Sequence, residues 1–122
     1  MIEVQTYYYL ATPYSKYPDG LEAAFNLAID ARALLIKAGI PVFSPIIHSH
    51  PVTIRCHMDP HDHALWLPAE APIMGAASGL ILLRAVSWEI SYGMRHEREH
   101  FESVGKPIVW MDPGVVPEEL LR

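Results

Sequence analysis

The sequence predicts a small α/β domain. It reads as a doubly wound, Rossmann-like or flavodoxin-like three-layer sandwich around a mostly parallel sheet of four to five strands. Three observations predict it. Residues 6–11 (TYYYLA), 21–38 and 41–44 (PVFS) read as strand, amphipathic helix and strand, a βαβ unit with parallel strands and a right-handed crossover. Residues 79–83 (GLILL) are apolar at every position, as in a strand covered on both faces. Strand-like and helix-like segments keep alternating up to residue 111.

The first strand, residues 6–11, is rich in aromatics and free of breakers, and Thr12-Pro13-Tyr14-Ser15 ends it. Tyr17-Pro18-Asp19-Gly20 is a turn into the first helix. That helix, residues 21–38, carries Leu21, Phe25, Ala28, Leu35 and Ala38 on an apolar face and Glu22, Asn26 and Asp30 on a wet one. Gly39 is placed to close it as the residue after the cap. Residues 45–63 hold Pro45, Pro51 and Pro60 and five of the seven histidines, and read as a long functional loop. Residues 62–77 read as a helix interrupted around Pro68 and Pro72. After the third strand, residues 84–90 read as a loop. Residues 91–104 form a helix with Ser91 as N-cap and Gly105 past its end. Residues 106–111 (KPIVWM) are a fourth strand, and Pro117 to Leu120 open a short last turn with Pro at N1.

The whole chain, residues 1–122, is expected to be a single domain with a core of its own. Hydrophobic residues make up 51% and charged residues 19%, which excludes a disordered chain. A net charge of -5 argues against nucleic acid or an anionic membrane as the main partner. Cys56 stands alone, so no internal disulfide is possible. Glu3 and Gln5 stand where a signal peptide needs a basic patch, and no apolar run approaches the ~20 residues of a membrane span. The expectation is a cytoplasmic protein.

In the helix over residues 91–104, Ile90, Met94, Phe101 and Val104 form an apolar stripe with Glu97 in one of its slots. A carboxylate on a core-facing side is costly unless paired, so Glu97 is either a structural acid meeting an arginine or a functional group. In open α/β sheets ligands sit at the carboxyl ends of the strands. Residues 12–15, 44–50 and 84–91 converge there. Tyr9, Ser15, Glu70, Ser91, Gly93 and Glu97 make one constellation. Gly93 lets a ligand approach the helix start, where free N–H groups and the Ser91 hydroxyl can hold a phosphate or carboxylate. The bland alternative makes Ser91 a mere cap and Gly93 a packing residue. A second constellation, His48, His50, Cys56, His57, Asp59, His61, Asp62 and His63, has ligand chemistry but no standard metal spacing. No metal is expected. His48 and His50 are instead expected to line the cleft. Trp66 and Trp110 read as core or subunit interface, whereas Trp88 lies just before Ser91 and belongs with the cleft.

Tyr9-Leu10-Ala11-Thr12-Pro13-Tyr14-Ser15, Ser44-Pro45, Ser49-His50-Pro51, Trp88-x-x-Ser91-x-Gly93-x-x-x-Glu97 and Gly105-Lys106-Pro107 resemble a small uncharacterised domain family. That family is similar to the nucleoside 2-deoxyribosyltransferases. The resemblance covers roughly residues 7–111. It implies that Glu97 attacks the anomeric carbon of a deoxyribose, that Tyr9 orients Glu97, and that Ser91 holds a 5′-phosphate. It implies an acid eight residues before Ser78, which is Glu70, although the enzymes usually have aspartate there. The catalytic candidates are therefore Glu97, Glu70 and Tyr9. The substrate-binding candidates are Thr12, Tyr14, Ser15, His48, His50, Trp88, Ser91 and Gly93. The expected partner is a nucleoside or nucleotide, hydrolysed or transferred at its N-glycosidic bond without a metal or redox cofactor, in a homodimer or homotetramer. A nucleotide-binding sensor without turnover is the alternative of a different class. A metallohydrolase would need three ligands of the residue 48–63 segment to converge.

Overall fold

The computed structural model describes residues 6–121, so Glu3 and Gln5 of the signal-peptide argument lie outside the described residues. Four strands, β1 (Tyr8–Ala11), β2 (Val42–Phe43), β3 (Gly79–Leu83) and β4 (Ile108–Met111), form one sheet in the order β2-β1-β3-β4. All three pairings are parallel. Among the described residues four α-helices connect them: α1 (Leu21–Lys37), α2 (Pro45–Arg55), α3 (His63–Ala76) and α4 (Tyr92–Ser103).

Side chains alternate across the strands and sort the layers. Leu10, Ile81, Leu83, Val109 and Met111 face α1 and pack on its Ala31 and Leu35. Tyr9, Ala11, Leu80 and Leu82 face the other way, onto Met74 of α3 and Met94 and Phe101 of α4. All five residues of β3 are buried, as a strand covered on both faces must be. Each buried Leu or Ile there contributes roughly 1.5–3 kcal/mol, so β3 is the anchor of the sheet. Gly79 begins it because a Cβ at that position would lie 2.9 Å from both the Pro107 carbonyl oxygen and the Tyr8 ring. The chain leaves β1 toward β2 on one side and returns to β3 on the other. That reversal opens a crevice at the carboxyl ends of β1 and β3, where open α/β sheets take ligands.

Two expectations fail in the middle of the chain. Residues 45–55 are a helix rather than a loop. Ser44 caps it by accepting from the Ile47 N–H at 3.2 Å, and Pro45 sits in the first turn, where its missing N–H costs nothing. Pro51 lies inside α2 on its exposed side. The irregular part shrinks to residues 56–62. The predicted break at Pro68 and Pro72 is also absent, and α3 runs through both. Each proline removes one i→i−4 bond, but Ala64, Pro68 and Pro72 are all exposed, so water can satisfy the freed carbonyls of Ala64 and Pro68.

Smaller differences lie at the ends. Ala38 lies outside α1 and is exposed. Trp88–Ile90 forms a single 3-10 turn where a loop was expected, and Glu118–Leu120 forms another, with Pro117 as its cap residue rather than at N1. Among the described residues, no helix is long and apolar enough to cross a membrane.

Candidate functional site

The crevice is a narrow, open cleft. Three chain segments wall it. Thr12, Tyr14 and Ser15 follow β1. Pro45, Ile46, Ser49 and Thr53 come from α2, and Ser91, Gly93 and Glu97 from α4 and its cap. Glu70, with Leu67, Trp66 and His63 from α3, completes the wall beside Glu97.

Glu97 reaches the floor because α4 buries one stripe only, Met94, Glu97 and Phe101, at spacings of three and four. Ile90 and Val104, the outer members of the predicted stripe, are exposed. Among the described residues no arginine, lysine or histidine forms an ion pair with Glu97. Burial, reinforced by the Glu70 carboxylate, holds its carboxyl well above the usual carboxylate range. Glu70 is also held high: burial pushes it up to about 7. One of its oxygens, Oε2, is buried without a hydrogen-bond partner, as is the Thr12 hydroxyl across the cleft. Buried polar atoms are rarely left unpaired, and both of these belong to residues that line the cleft.

The C-terminal end of α3, beyond Glu70, is tied down. Lys106 Nζ donates to the carbonyls of Gly75 (2.8 Å) and Ala77 (2.7 Å), and the Tyr7 hydroxyl donates to the Ile73 carbonyl. Behind the cleft, Glu70 and Glu97 share a small recess with Tyr9 and His96. Tyr9 is almost fully buried. Its phenol is raised far above its ordinary value by burial, and then by the Glu97 and Glu70 carboxylates and Tyr7. A phenol in that state keeps its proton and can donate it in a hydrogen bond. At the helix start the Ser91 hydroxyl accepts from the Met94 N–H at 3.3 Å, so it acts as a cap while lining the cleft.

Residues 6–113 match the family described as a domain of unknown function, DUF1937. The chain belongs to that family. No curated protein matches it.

In this DUF1937 domain the cleft gathers most of the site candidates and leaves out three. Thr12, Tyr14, Ser15, Glu70, Ser91, Gly93 and Glu97 line it, with Tyr9 directly behind. His48 and His50 do not. On α2 the wall belongs to Pro45, Ile46, Ser49 and Thr53, and neither histidine lines it. His48 is exposed and lies against Phe43, and His50 is buried beside α1. Trp88 is also outside. It meets Trp110 edge-to-face at 5.2 Å and lines a separate hollow with Leu82, Met94, Arg95 and Arg98. Trp66, expected in the core or an interface, lines the cleft, with its indole N–H on the Asp59 carbonyl at 3.2 Å. Ser49, Thr53 and His63 were not singled out for the cleft. For Ser49 and Thr53 the available signal was the four-residue spacing from Pro45 after the Ser44 cap. Among the described residues no group of three or more His, Cys, Asp or Glu side chains is placed to hold a metal ion.

Proposed function

We propose that this domain binds a nucleoside or nucleotide in the cleft and breaks its N-glycosidic bond, with Glu97 as nucleophile. The observation that carries the proposal is the pair of cleft carboxyls, Glu97 and Glu70. Both are raised by burial, and the salt bridges among the described residues include neither. A structural acid would be expected to meet an arginine. The motif likeness to nucleoside 2-deoxyribosyltransferases supports the same assignment.

The chemistry is a two-step displacement with retention. The Glu97 carboxylate attacks the anomeric carbon, the C–N bond breaks, and the base leaves with the bonding pair. Glu70, still protonated, donates its proton to the departing base. Water or the nitrogen of a second base then gives its proton to the ionised Glu70, attacks the same carbon and releases the Glu97 carboxylate. The two carboxyls act on each other, so they titrate as a pair rather than as independent groups. The reactive arrangement puts the proton on Glu70 and the charge on Glu97. The positive charge that develops on the sugar, and a hydrogen bond from the Tyr9 hydroxyl, favour that arrangement in the transition state. The N-terminus of α4, with Ser91 and Gly93, suits a 5′-phosphate.

Nucleotide binding without turnover is the second reading, and the burial of Glu97 favours it as well. A carboxyl held protonated donates a hydrogen bond and is no nucleophile. Incubation with a panel of 2′-deoxynucleosides and their 5′-monophosphates separates the two. Wild type is expected to release free base and Glu97→Ala to release none above background. Equal release by both removes Glu97 from the mechanism, and binding without release leaves the sensor.

A further inference from the structure

One hydrogen-bonded chain runs from the protein surface to the cleft and has no place in the mechanism above. Glu22 stands exposed in the first turn of α1, and its Oε1 lies 3.1 Å from Nε2 of His50. His50, on α2, is 3% exposed and is stacked on Phe25 with ring centroids 4.5 Å apart. Its Nδ1 lies 2.7 Å from the hydroxyl of Tyr14, which lines the cleft.

The donors in this chain follow from the end that has no choice. An ionised carboxylate can only accept, so the contact with Glu22 requires a proton on Nε2 of His50. Where the imidazole is neutral, Nδ1 has a bare lone pair, and the Tyr14 hydroxyl must donate to it. Burial, and then the Glu22 carboxylate, raises the Tyr14 phenol, so it keeps the proton it donates. With that proton committed, only the lone pairs of the Tyr14 oxygen remain for the cleft.

We infer that the Glu22–His50–Tyr14 relay fixes Tyr14 as a hydrogen-bond acceptor facing the cleft, where it receives a sugar hydroxyl of the ligand. This deepens the proposed function and rests on it only for the identity of the ligand group. Tyr14 is the contact residue, and His50 and Glu22 are positioning residues. A ligand lacking that hydroxyl leaves the acceptor unpaired, and unpaired polar contacts discriminate strongly.

The relay is tested by 15N NMR of the histidine side chains at pH 8. His50 is expected as the Nε2–H tautomer with Nδ1 hydrogen-bonded. In Tyr14→Phe the Nδ1 resonance should move downfield toward that of a free lone pair while Nε2 keeps its proton. An Nδ1–H tautomer in wild type, or an Nδ1 resonance unmoved in Tyr14→Phe, overturns the relay. The ligand group is tested by calorimetry with the four common 2′-deoxynucleosides and their 3′-deoxy and 5′-deoxy analogues. A Glu97→Gln background prevents turnover. Loss of one of the two hydroxyls should weaken binding tenfold or more, and Tyr14→Phe should reduce that penalty to about twofold. Equal penalties with and without the Tyr14 hydroxyl, or no binding of any nucleoside, overturn the assignment of the ligand. Absence of base release by wild type would count against the N-glycosidic reaction and leave both of these results standing.

Discussion

Replacing Glu70 by glutamine should make the protein more stable at alkaline pH and leave it nearly unchanged in acid. In the folded chain burial lifts the Glu70 carboxyl from 4.5 to about 7. The folded state therefore binds the proton more tightly than the unfolded state. The stability this contributes is fully present below about pH 4.5 and is lost as pH rises through about 7. At roughly 1.4 kcal/mol per tenfold change in proton affinity, the full effect is about 3.5 kcal/mol. The side chain is only partly buried, and solvent screening reduces this to about 1.5 kcal/mol. Urea denaturation at pH 5 and pH 8 measures it. With an m value of roughly 1.5 kcal/mol per molar, Glu70→Gln should exceed wild type at pH 8 by about 1 M in midpoint. At pH 5 the two should nearly coincide. Taking the difference between the proteins cancels the titrating groups that Glu70 does not touch, leaving its own term and its coupling to Glu97 and Tyr9. A midpoint difference independent of pH would refute the burial of a protonatable Glu70. A wild type that gains stability over Glu70→Gln as pH rises would mean that an unseen cation pairs with the carboxylate.

Other outcomes follow from the same geometry. The kcat/KM for base release should follow a bell-shaped pH profile, its limbs belonging to the Glu70–Glu97 pair. Its acidic limb should lie above the usual carboxylate range, because Glu97 must lose its proton before it attacks. An acidic limb near pH 4 would exclude Glu97 as the ionising group. Ser91→Ala removes the acceptor of the Met94 N–H and should cost about 1 kcal/mol in chemical denaturation. It should also raise KM for 5′-monophosphates more than for nucleosides, and an equal rise for both would reduce Ser91 to a cap.

The sheet and the position of Glu97 were legible in the sequence for the same reason: both rest on short-range periodicity. GLILL marks a strand covered on two faces, and Met94, Glu97 and Phe101 mark one stripe of a helix that Ser91 opens. The segment after β2 was not legible. Three prolines and five histidines have the composition of a loop, but Pro45 sits in a first turn and Pro51 faces solvent, where a missing N–H is tolerated. Reading residues 45–55 as a loop left no basis for choosing which side chains face the cleft. A loop reading puts His48 and His50 in the cleft, whereas the helix lines it with Ser49 and Thr53. The role of His50 depends on partners 28 and 36 positions away, at Glu22 and Tyr14, which no local pattern connects. Trp66 was misplaced because an aromatic at helical spacing looks the same on a core face and on a cleft wall.

The cleft divides its work between separate parts of the chain. The two carboxyls stand on α3 and α4, which pack on one face of the sheet, with α3 tied down at its end by Lys106. The opposing wall belongs to α2, a separate helix packed against α1. Divergence can therefore act on one wall at a time. Exchanges at Ile46, Ser49 or Thr53 can reshape what the cleft admits while the Glu70–Glu97 spacing stays as the sheet sets it. A lineage of such domains could change its ligand repeatedly and keep a single pair of acids.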